Sequence, residues 1–185
     1  MSFFENTRKP TGRGGRAMVA MMNLCHRPLA RWGLRFLDIA PDAAVLDCGC
    51  GGGANIRTLL KKCPGGVVKG IDDSPVSVEK AREVNRQAIR EGRCAVMQGS
   101  VADMLFADGW FDVATAFETV YFWPDLPRCF REVFRVLKSG GTFLICNECS
   151  DPVKDSKWPE LINGMTVYGD TQLKDALEQA GFRDV

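Results

Sequence analysis

The sequence has no excess of charge of either sign. Its 185 residues include 24 lysines and arginines and 23 aspartates and glutamates, so the formal net charge is +1. A balance this even gives no argument for nucleic acid or an anionic membrane as a partner. Residues 7–16 form a polar, glycine-rich arm with four basic residues, Arg8, Lys9, Arg13 and Arg16. We expect this arm to be mobile and its contact with RNA to be weak and salt-sensitive, so no nucleic-acid partner is predicted.

Long apolar runs are also missing. No stretch approaches the ~20 apolar residues that a helix needs to span a membrane. The first six residues, MSFFEN, lack the basic-then-apolar order of a signal peptide. We therefore predict a cytoplasmic protein without a membrane partner.

Histidine is nearly absent, which argues against a metal centre. His26 is the single histidine beside eight cysteines. Cys146 and Cys149 form a C-x-x-C pair, but a zinc site needs a second such pair or well-placed histidines. Eight cysteines in a chain without a signal peptide are typical of reduced thiols. We predict no metal.

From residue 41 onward, strand-like and helix-like segments alternate. The predicted strands cover residues 43–48, 67–71, 94–98, 111–116 and 142–147. The predicted helices cover 17–39 with a break near Pro28, 55–62, 75–91, 125–139 with a glycine C-cap, and 171–180. Residues 150–170 lack a regular pattern. This alternation predicts an α/β fold whose mostly parallel sheet is covered on both faces. Residues 1–40 are interpreted as an arm and helical lid, and residues 41–185 as the ligand-binding domain.

A glycine-rich turn after the first strand is the strongest local signal. It lies in VLDCGCGGG, residues 45–53. Glycines let the backbone turn tightly and approach a ligand closely. Gly49, Gly51 and Ala54 even satisfy the GxGxxG/A pattern of NAD-binding proteins. Asp47 argues against a dinucleotide, because its anionic side chain is badly placed beside a pyrophosphate and well placed beside an amino group.

Asp72 ends the second strand, at the position where an acid can accept hydrogen bonds from both hydroxyls of a ribose. NAD and S-adenosylmethionine (SAM) both carry an adenosine ribose, so Asp72 supports an adenosine ligand without choosing between them. An acid there could instead cap the following helix. We assign the cap to Asp73 or Ser74 and the ribose to Asp72.

Five segments in order resemble the class I SAM-dependent methyltransferases, close to their type-11 or ubiquinone-biosynthesis-like branch. The segments are VLDCGCGGG (45–53), VVKGIDDS (67–74), QGSVADMLFADGWFDVATAFET (98–119), REVFRVLKSGGTFLI (131–145) and YGDTQLKDALEQAGF (168–182). The resemblance extends over residues 43–185. It implies a Rossmann-like three-layer sandwich, SAM as cofactor with S-adenosylhomocysteine as product, and an unidentified small-molecule methyl acceptor.

The resemblance also implies which residues meet the cofactor. Those around its methionine part are Asp47, Gly49, Cys50, Gly51 and Gly53. Those around its adenosine are Asp72, Asp73, Ser74, Ser100, Met104 and the backbone of Val101. Ser100 stands where the family usually has an acid, which would weaken the contact with adenine. Phe117 and Glu118 are expected to face the sulfonium and the acceptor.

Two residues are candidates for catalysis. Glu118 follows the fourth strand and could act as a general base or bind an acceptor amine, or it could be an ordinary surface acid. His26 lies on the helical lid and could be a base, although a lone histidine on a helix is more often a packing residue. Tyr121, Phe122 and Trp123 could form an aromatic wall for the acceptor or belong to the core.

The family sheet has seven strands, and this sequence stops as the sixth begins, near residues 182–185. We therefore expect a sheet that lacks its last one or two strands and has an open edge, through which a homodimer could form. Two other functions stay open at this point: an NAD-dependent oxidoreductase with a similar fold, and a non-catalytic module that binds SAM.

Overall fold

The computed structural model describes residues 5–8 and 10–185, with the backbone alone for Glu5, Asn6 and Arg13. None of the described helices is long and apolar enough to cross a membrane. The elements are α1 (Glu5–Arg8), α2 (Gly12–Cys25), α3 (Arg27–Gly33), β1 (Ala44–Cys48), α4 (Ala54–Lys62), β2 (Val67–Asp72), α5 (Pro75–Val84), α6 (Arg86–Arg90), β3 (Cys94–Gln98), β4 (Phe111–Phe117), a 3₁₀ turn (Val120–Phe122), α7 (Leu126–Val136), β5 (Leu137–Cys146), α8 (Lys157–Leu161) and α9 (Asp170–Ala180).

The five strands form one parallel sheet in the order β3-β2-β1-β4-β5. Val45 of β1 pairs with Val68 of β2 on one side and with Val113 of β4 on the other. The strand order reverses between β1 and β4, and ligands of such sheets bind beyond the carboxyl ends of the strands at this point. The predicted α/β fold with a parallel sheet is confirmed, and β3 and β5 form the edges of the sheet.

Two apolar layers hold the helices against the faces of the sheet. Successive side chains of a strand point to opposite faces, so Val45 packs with Ile56 and Leu59 of α4 on one face. Its neighbour Leu46 belongs to the layer on the other face, with Phe130 and other residues of α7. All five of these side chains are fully buried. The three-layer sandwich therefore follows from alternation along the central strand.

The first four predicted strands are confirmed to within one residue, but the end of α7 differs from the prediction. The predicted glycine C-cap at residues 139–141 is wrong, because α7 ends at Val136 and β5 begins at Leu137. Gly109 and Trp110 donate their backbone N–H groups to the carbonyls of Arg135 and Val136. These bonds satisfy the carbonyls at the helix end, so no glycine cap is needed.

The predicted helix over residues 75–91 is divided at Asn85. The side-chain amide of this buried residue donates to the carbonyls of Gly53 and Ala81, each at 2.9 Å. Asn85 thus links the glycine turn to α5, and the helix resumes as α6 at Arg86. The break ties α5 to the functional end of the sheet.

The arm and the predicted sixth strand also differ from expectation. Helix α2 begins at Gly12, inside the segment expected to be mobile, and its Arg16 donates to both oxygens of Glu79 on α5. The predicted break near Pro28 is confirmed, since α2 ends at Cys25 and α3 begins at Arg27. Residues 182–185 form no strand. Phe182 instead packs its ring against those of Phe134 and Phe143.

Candidate active site

The glycine turn leaves β1 with its backbone fixed by β2. Gly49 and Cys50 both donate their N–H groups to the carbonyl of Ile71, at 2.8 and 3.0 Å. Gly49 has φ +70°, and a Cβ there would overlap the hydroxyl of Thr119. Gly51 has φ +50°, with nothing within 4 Å of where a Cβ would be. The turn is therefore held from behind and open in front, as a ligand cradle requires.

Asp72 lies beside this turn with both carboxylate oxygens engaged. One oxygen accepts from the N–H of Gly51 at 2.8 Å and the other from the N–H of Ser74 at 3.0 Å. Burial raises the pKa of Asp72, and these two hydrogen bonds oppose that shift. Ser74 caps helix α5, because its hydroxyl accepts from the N–H of Ser77. Ser74 is one of the two residues predicted as this cap.

Asp47 is buried under the turn, 1% exposed. One of its oxygens accepts from the hydroxyl of Thr115 at 2.9 Å, and the other has no hydrogen-bond partner within the described part of the chain. Burial raises its pKa to about 7. Neither Asp47 nor Gly53 lies on the wall of the adjacent cavity. Their direct contact with a cofactor stays a prediction, and the structure shows both residues behind the turn.

A single cavity of about 400 Å³ extends from the glycine turn to the ends of β4 and β5. Ten of the fourteen predicted site residues line it: His26, Gly49, Cys50, Gly51, Asp72, Asp73, Ser100, Val101, Phe117 and Glu118. Ser74 and Met104, predicted at the adenosine, are buried and do not line it. The hydroxyl of Ser100 accepts from the N–H of Ala102 at 3.1 Å. Residues far apart in sequence thus meet around one space large enough for a small-molecule ligand.

Glu118 is held at the far end of this cavity in an unusual backbone conformation. Its φ is +55°, in the left-handed region that few residues with side chains adopt. Its side chain accepts from the hydroxyl of Tyr121 at 3.1 Å and from the N–H of Glu148. Burial raises the pKa of Glu118 to about 7. Strain and a shifted pKa in one cavity residue are typical of functional groups.

His26 and Glu148 complete a group around Glu118. One ligand atom from each of the three lies within 4.8 Å of the others, and this is the one group of three or more such side chains, among those described, that could hold a metal ion. Burial lowers the pKa of His26, so its imidazole is neutral near pH 7. The Cys146–Cys149 pair is not part of the group.

The wall opposite the glycine turn is apolar. Tyr121 packs in a cluster with Ile162, Met165 and Val167, and its carbonyl accepts from the N–H of Thr166 at 2.9 Å. Its hydroxyl accepts from the N–H of Cys149 at 2.9 Å. Phe122, Trp123, Trp158, Ile162 and Met165 line the cavity beside it. The aromatic wall suggested by residues 121–123 is therefore present, and residues 158–165 extend it.

The structure adds residues that the sequence did not single out. Asn23 of α2 donates to the carbonyl of Gly52 at 3.0 Å, and Thr119 backs Gly49. Met22, Asn23, His26 and Arg27 place the end of α2 and the start of α3 along the cavity. No local pattern marks Asn23 or Thr119, because each acts through a segment distant in sequence.

The comparison with known proteins agrees with this geometry. The sequence matches the methyltransferase domain family over residues 46–145, more than half of the chain. This chain belongs to that family. Cycloartenol-C-24-methyltransferase of Arabidopsis thaliana is 32% identical to it over 158 residues, which are 79% of this chain and 46% of that protein. The chain thus spans about half the length of this relative.

Solved structures of methyltransferases share the fold. The methyltransferase in complex with the Trm112 activator of Haloferax volcanii superimposes with a TM-score of 0.82 at 26% identity, covering 89% of this chain and 72% of that one. Geranyl diphosphate C-methyltransferase of Streptomyces coelicolor, crystallised with S-adenosylhomocysteine, has a TM-score of 0.74 at 22% identity, covering 93% of this chain and 67% of that one. The second likeness shows the fold alone.

Family membership decides between the two adenosine cofactors. The GxGxxG/A pattern allowed NAD, whereas the family model that the chain matches is that of a methyltransferase domain. The residues present fit SAM: the front of the turn at Gly51 is open, and Asp72 lies at the cavity wall. The non-catalytic alternative is addressed by the experiments below.

Proposed function

We propose that this domain transfers the methyl group of SAM to an apolar small-molecule acceptor held between Glu118 and the wall formed by residues 158–165. One observation carries the proposal: a single cavity joins the glycine turn to the Glu118 group. Methyl transfer is an in-line displacement that needs the two reactants aligned in a site free of water. A shared cavity of this size meets that need.

The cofactor end of the cavity is assigned to the residues around the turn. Gly49, Cys50 and Gly51 would surround the methionine part. Asp72 would accept hydrogen bonds from the ribose hydroxyls. Its two oxygens now accept from the N–H groups of Gly51 and Ser74, so each oxygen would either release that N–H group or accept from it and a hydroxyl together. Asp73, Ser100 and Val101 would border the adenosine, and Phe117 the sulfonium. Asp47 and Gly53 would support the turn from behind.

The acceptor end is defined by Glu118, His26 and the apolar wall. SAM supplies the electrophilic methyl group when it is bound. With a pKa of about 7, Glu118 can take up a proton near neutral pH. Neutral His26 offers a second acceptor on the same side. We assign Glu118 the role of base and His26 that of an auxiliary base.

An alkene carbon fits this end as the methylated atom. The relative from Arabidopsis thaliana is named for methylation at a carbon of cycloartenol. In such a reaction SAM would supply the methyl group and keep the electrons of its S–CH₃ bond, and the alkene pair of the acceptor would form the new C–C bond and leave a carbocation on the acceptor. A proton lost to Glu118 restores the double bond. The apolar wall of Trp158, Ile162 and Met165 would hold the hydrocarbon and exclude water.

Several further assignments belong to the same proposal. Residues 1–40 would act as arm and lid, and residues 41–185 as the catalytic domain. The protein would be cytoplasmic and would not act on nucleic acid. A homodimer could form through the exposed edge of β5.

The first experiment is calorimetric titration of the chain with S-adenosylhomocysteine, with NAD as control. Binding of the first alone supports the cofactor assignment, and binding of NAD alone contradicts it. The second experiment incubates the chain and its Glu118→Gln variant with SAM and a panel of isoprenoid alkenes. Methylated product from the wild type, with a large loss in the variant, supports the role of Glu118. Tight binding without turnover on any acceptor favours a non-catalytic module.

A further inference from the structure

The charge of the chain is distributed unevenly although its total is almost zero. Between Glu5 and Asp38 there is no acidic residue, while seven basic ones occur there. Four of these are in the arm, and the other three, Arg27, Arg31 and Arg35, belong to α3 and the turn after it. The rest of the chain is therefore net acidic. The total charge therefore does not reveal that this segment is basic.

Arg27 and Arg31 are four residues apart and so lie on one side of α3, and Arg35 follows in the turn after the helix. Each precedes an apolar residue, in the pairs Arg27-Pro28, Arg31-Trp32 and Arg35-Phe36, and all six are exposed. Trp32 is 54% exposed and Phe36 67% exposed, with their rings edge to face at 5.0 Å. Ala30, Gly33 and Leu34 on the opposite side are buried. The stripe is thus both basic and apolar.

Helix α2, which contacts α3, adds further exposed apolar side chains. Met21 is 43% exposed and Leu24 61% exposed, while Met18 and Val19 are buried. We call Met21, Leu24, Arg31, Trp32, Arg35 and Phe36 the α2–α3 face. It combines large apolar side chains with cations in an amphipathic pair of helices.

Arg27, Arg31 and Arg35 have no acidic partner among the residues that the structure describes. Arg16 behaves differently, because it forms an ion pair with Glu79. These arginines, beside the exposed rings of Trp32 and Phe36, therefore contribute no ion pair to the stability of the fold. Their charge is available to an anionic surface outside the described chain.

The face lies next to the cavity. Met22, Asn23, His26 and Arg27 line the cavity, and they lie in the same stretch of the chain as Met21, Leu24 and Arg31 of the face. A surface that covered the α2–α3 face would therefore also lie close to the acceptor end.

We propose that the α2–α3 face docks this protein on the surface of an anionic lipid bilayer. Amphipathic helices with arginines on one side and tryptophan, phenylalanine and leucine beside them bind at the lipid–water interface. Basic residues are drawn to the negative surface potential, and tryptophan favours the headgroup region. Docking of this kind needs no spanning helix. It replaces the expectation, drawn from total charge, that the protein has no membrane partner.

The apolar residues favour lipid over nucleic acid. Four large apolar side chains protrude from the face, and a phosphate backbone would leave Met21 and Leu24 without partners, whereas acyl chains would bury them. Docking does not depend on methyl transfer. Where the proposed function also holds, it gives a hydrophobic acceptor a route from the bilayer into the cavity.

The test is sedimentation of the full chain with vesicles of phosphatidylcholine alone and of phosphatidylcholine mixed with phosphatidylserine. We expect binding to the mixed vesicles, decreasing with salt, and little binding to the neutral ones. Each surface arginine contributes about fivefold to partitioning, so Arg31→Gln/Arg35→Gln should reduce it about 25-fold. Trp32→Ser/Phe36→Ser should reduce it at unchanged charge.

The matched control is Lys61→Gln/Lys62→Gln, which removes two exposed charges from the end of α4. It should bind mixed vesicles as the wild type does. S-adenosylhomocysteine titration of every variant verifies the fold independently of lipid. The proposal also predicts that single-stranded RNA does not displace the protein from vesicles.

Several results would overturn the proposal. Equal losses in the arginine and lysine variants would show unspecific charge attraction. Full retention of vesicle binding in Trp32→Ser/Phe36→Ser would show that the apolar side chains of the face do not take part in docking. Displacement by RNA would indicate a nucleic-acid surface. A wild-type dimer that becomes monomeric in Trp32→Ser/Phe36→Ser, without vesicle binding by the wild type, would assign the face to a second copy of the chain.

Discussion

Replacing Glu118 by glutamine should remove much of the pH dependence of the protein's stability. Burial raises the pKa of this carboxyl from 4.5 to about 7 in the folded protein. Between these values the folded state holds a proton that the unfolded state has released. Stability from Glu118 is therefore complete below pH 4.5 and is lost as the pH rises through 7. Glutamine is uncharged throughout and keeps an oxygen that can accept from Tyr121.

The magnitude follows from the shift. One pKa unit corresponds to about 1.4 kcal/mol, so a shift from 4.5 to about 7 corresponds to roughly 3 kcal/mol. Between pH 4.5 and pH 8, the free energy of unfolding of the wild type should fall relative to Glu118→Gln by about this amount. Asp47, with a pKa raised from 3.8 to about 7 in full burial, should contribute a second decline in the same window.

Urea unfolding of the wild type, Glu118→Gln and Asp47→Asn at several pH values measures these terms without any ligand. Each variant should lose part of the wild-type decline, and the double variant most of it. Asp112→Asn serves as a control, because Lys138 and the N–H of Ala44 lower the pKa of that carboxyl. Its effect should appear at acid pH instead. A decline between pH 5 and 8 that is as steep in Glu118→Gln as in the wild type would refute the reasoning.

Three other predictions concern the same cavity. Asp72→Asn should weaken S-adenosylhomocysteine binding about 10- to 100-fold in calorimetry, since a charged acceptor is lost, and unchanged affinity would remove Asp72 from the ribose. Gly49→Ala should lower the free energy of unfolding by about 2 kcal/mol, because its Cβ overlaps the Thr119 hydroxyl at positive φ. Addition of Thr119→Ala should restore part of that loss in thermal denaturation. Tyr121→Phe should raise the pKa of Glu118 further by removing a stabilising hydrogen bond, and an unmoved stability midpoint against pH would contradict this.

Much of the cofactor end could be predicted because its residues are contiguous or follow strand ends. The parallel sheet brings the ends of β1 and β2 together, so the turn and Asp72 had to meet once the strands were identified. The predicted residues that lie off the cavity wall include Asp47, near the end of β1, and Gly53, in the turn. Their positions in the sequence predicted that they belong to the cofactor-binding segment, but not whether each side chain faces the cavity or the core.

The supports of the site could not be predicted, because each bridges segments far apart in the chain. Asn85 bonds to Gly53 across 32 positions, Asn23 to Gly52 across 29, and Glu148 to Glu118 across 30. Neither the hydrophobic periodicity of the sequence nor its helix and strand propensities predict such long-range hydrogen bonds. The early start of β5 has the same origin, because the pairing of Leu137 with Phe111 overrides the glycine pattern.

The sequence by itself determined the strand and helix segments, the glycine turn and the family. Local spacing and turn chemistry are sufficient for these features. Only the tertiary structure decided that Glu118 meets His26 and Glu148, because the segments that follow α2, β4 and β5 approach one another closely. Only the structure showed that Arg31 and Arg35 are exposed side by side with apolar residues. The balanced total charge does not reveal this, because a charge acts on a partner only where it is exposed.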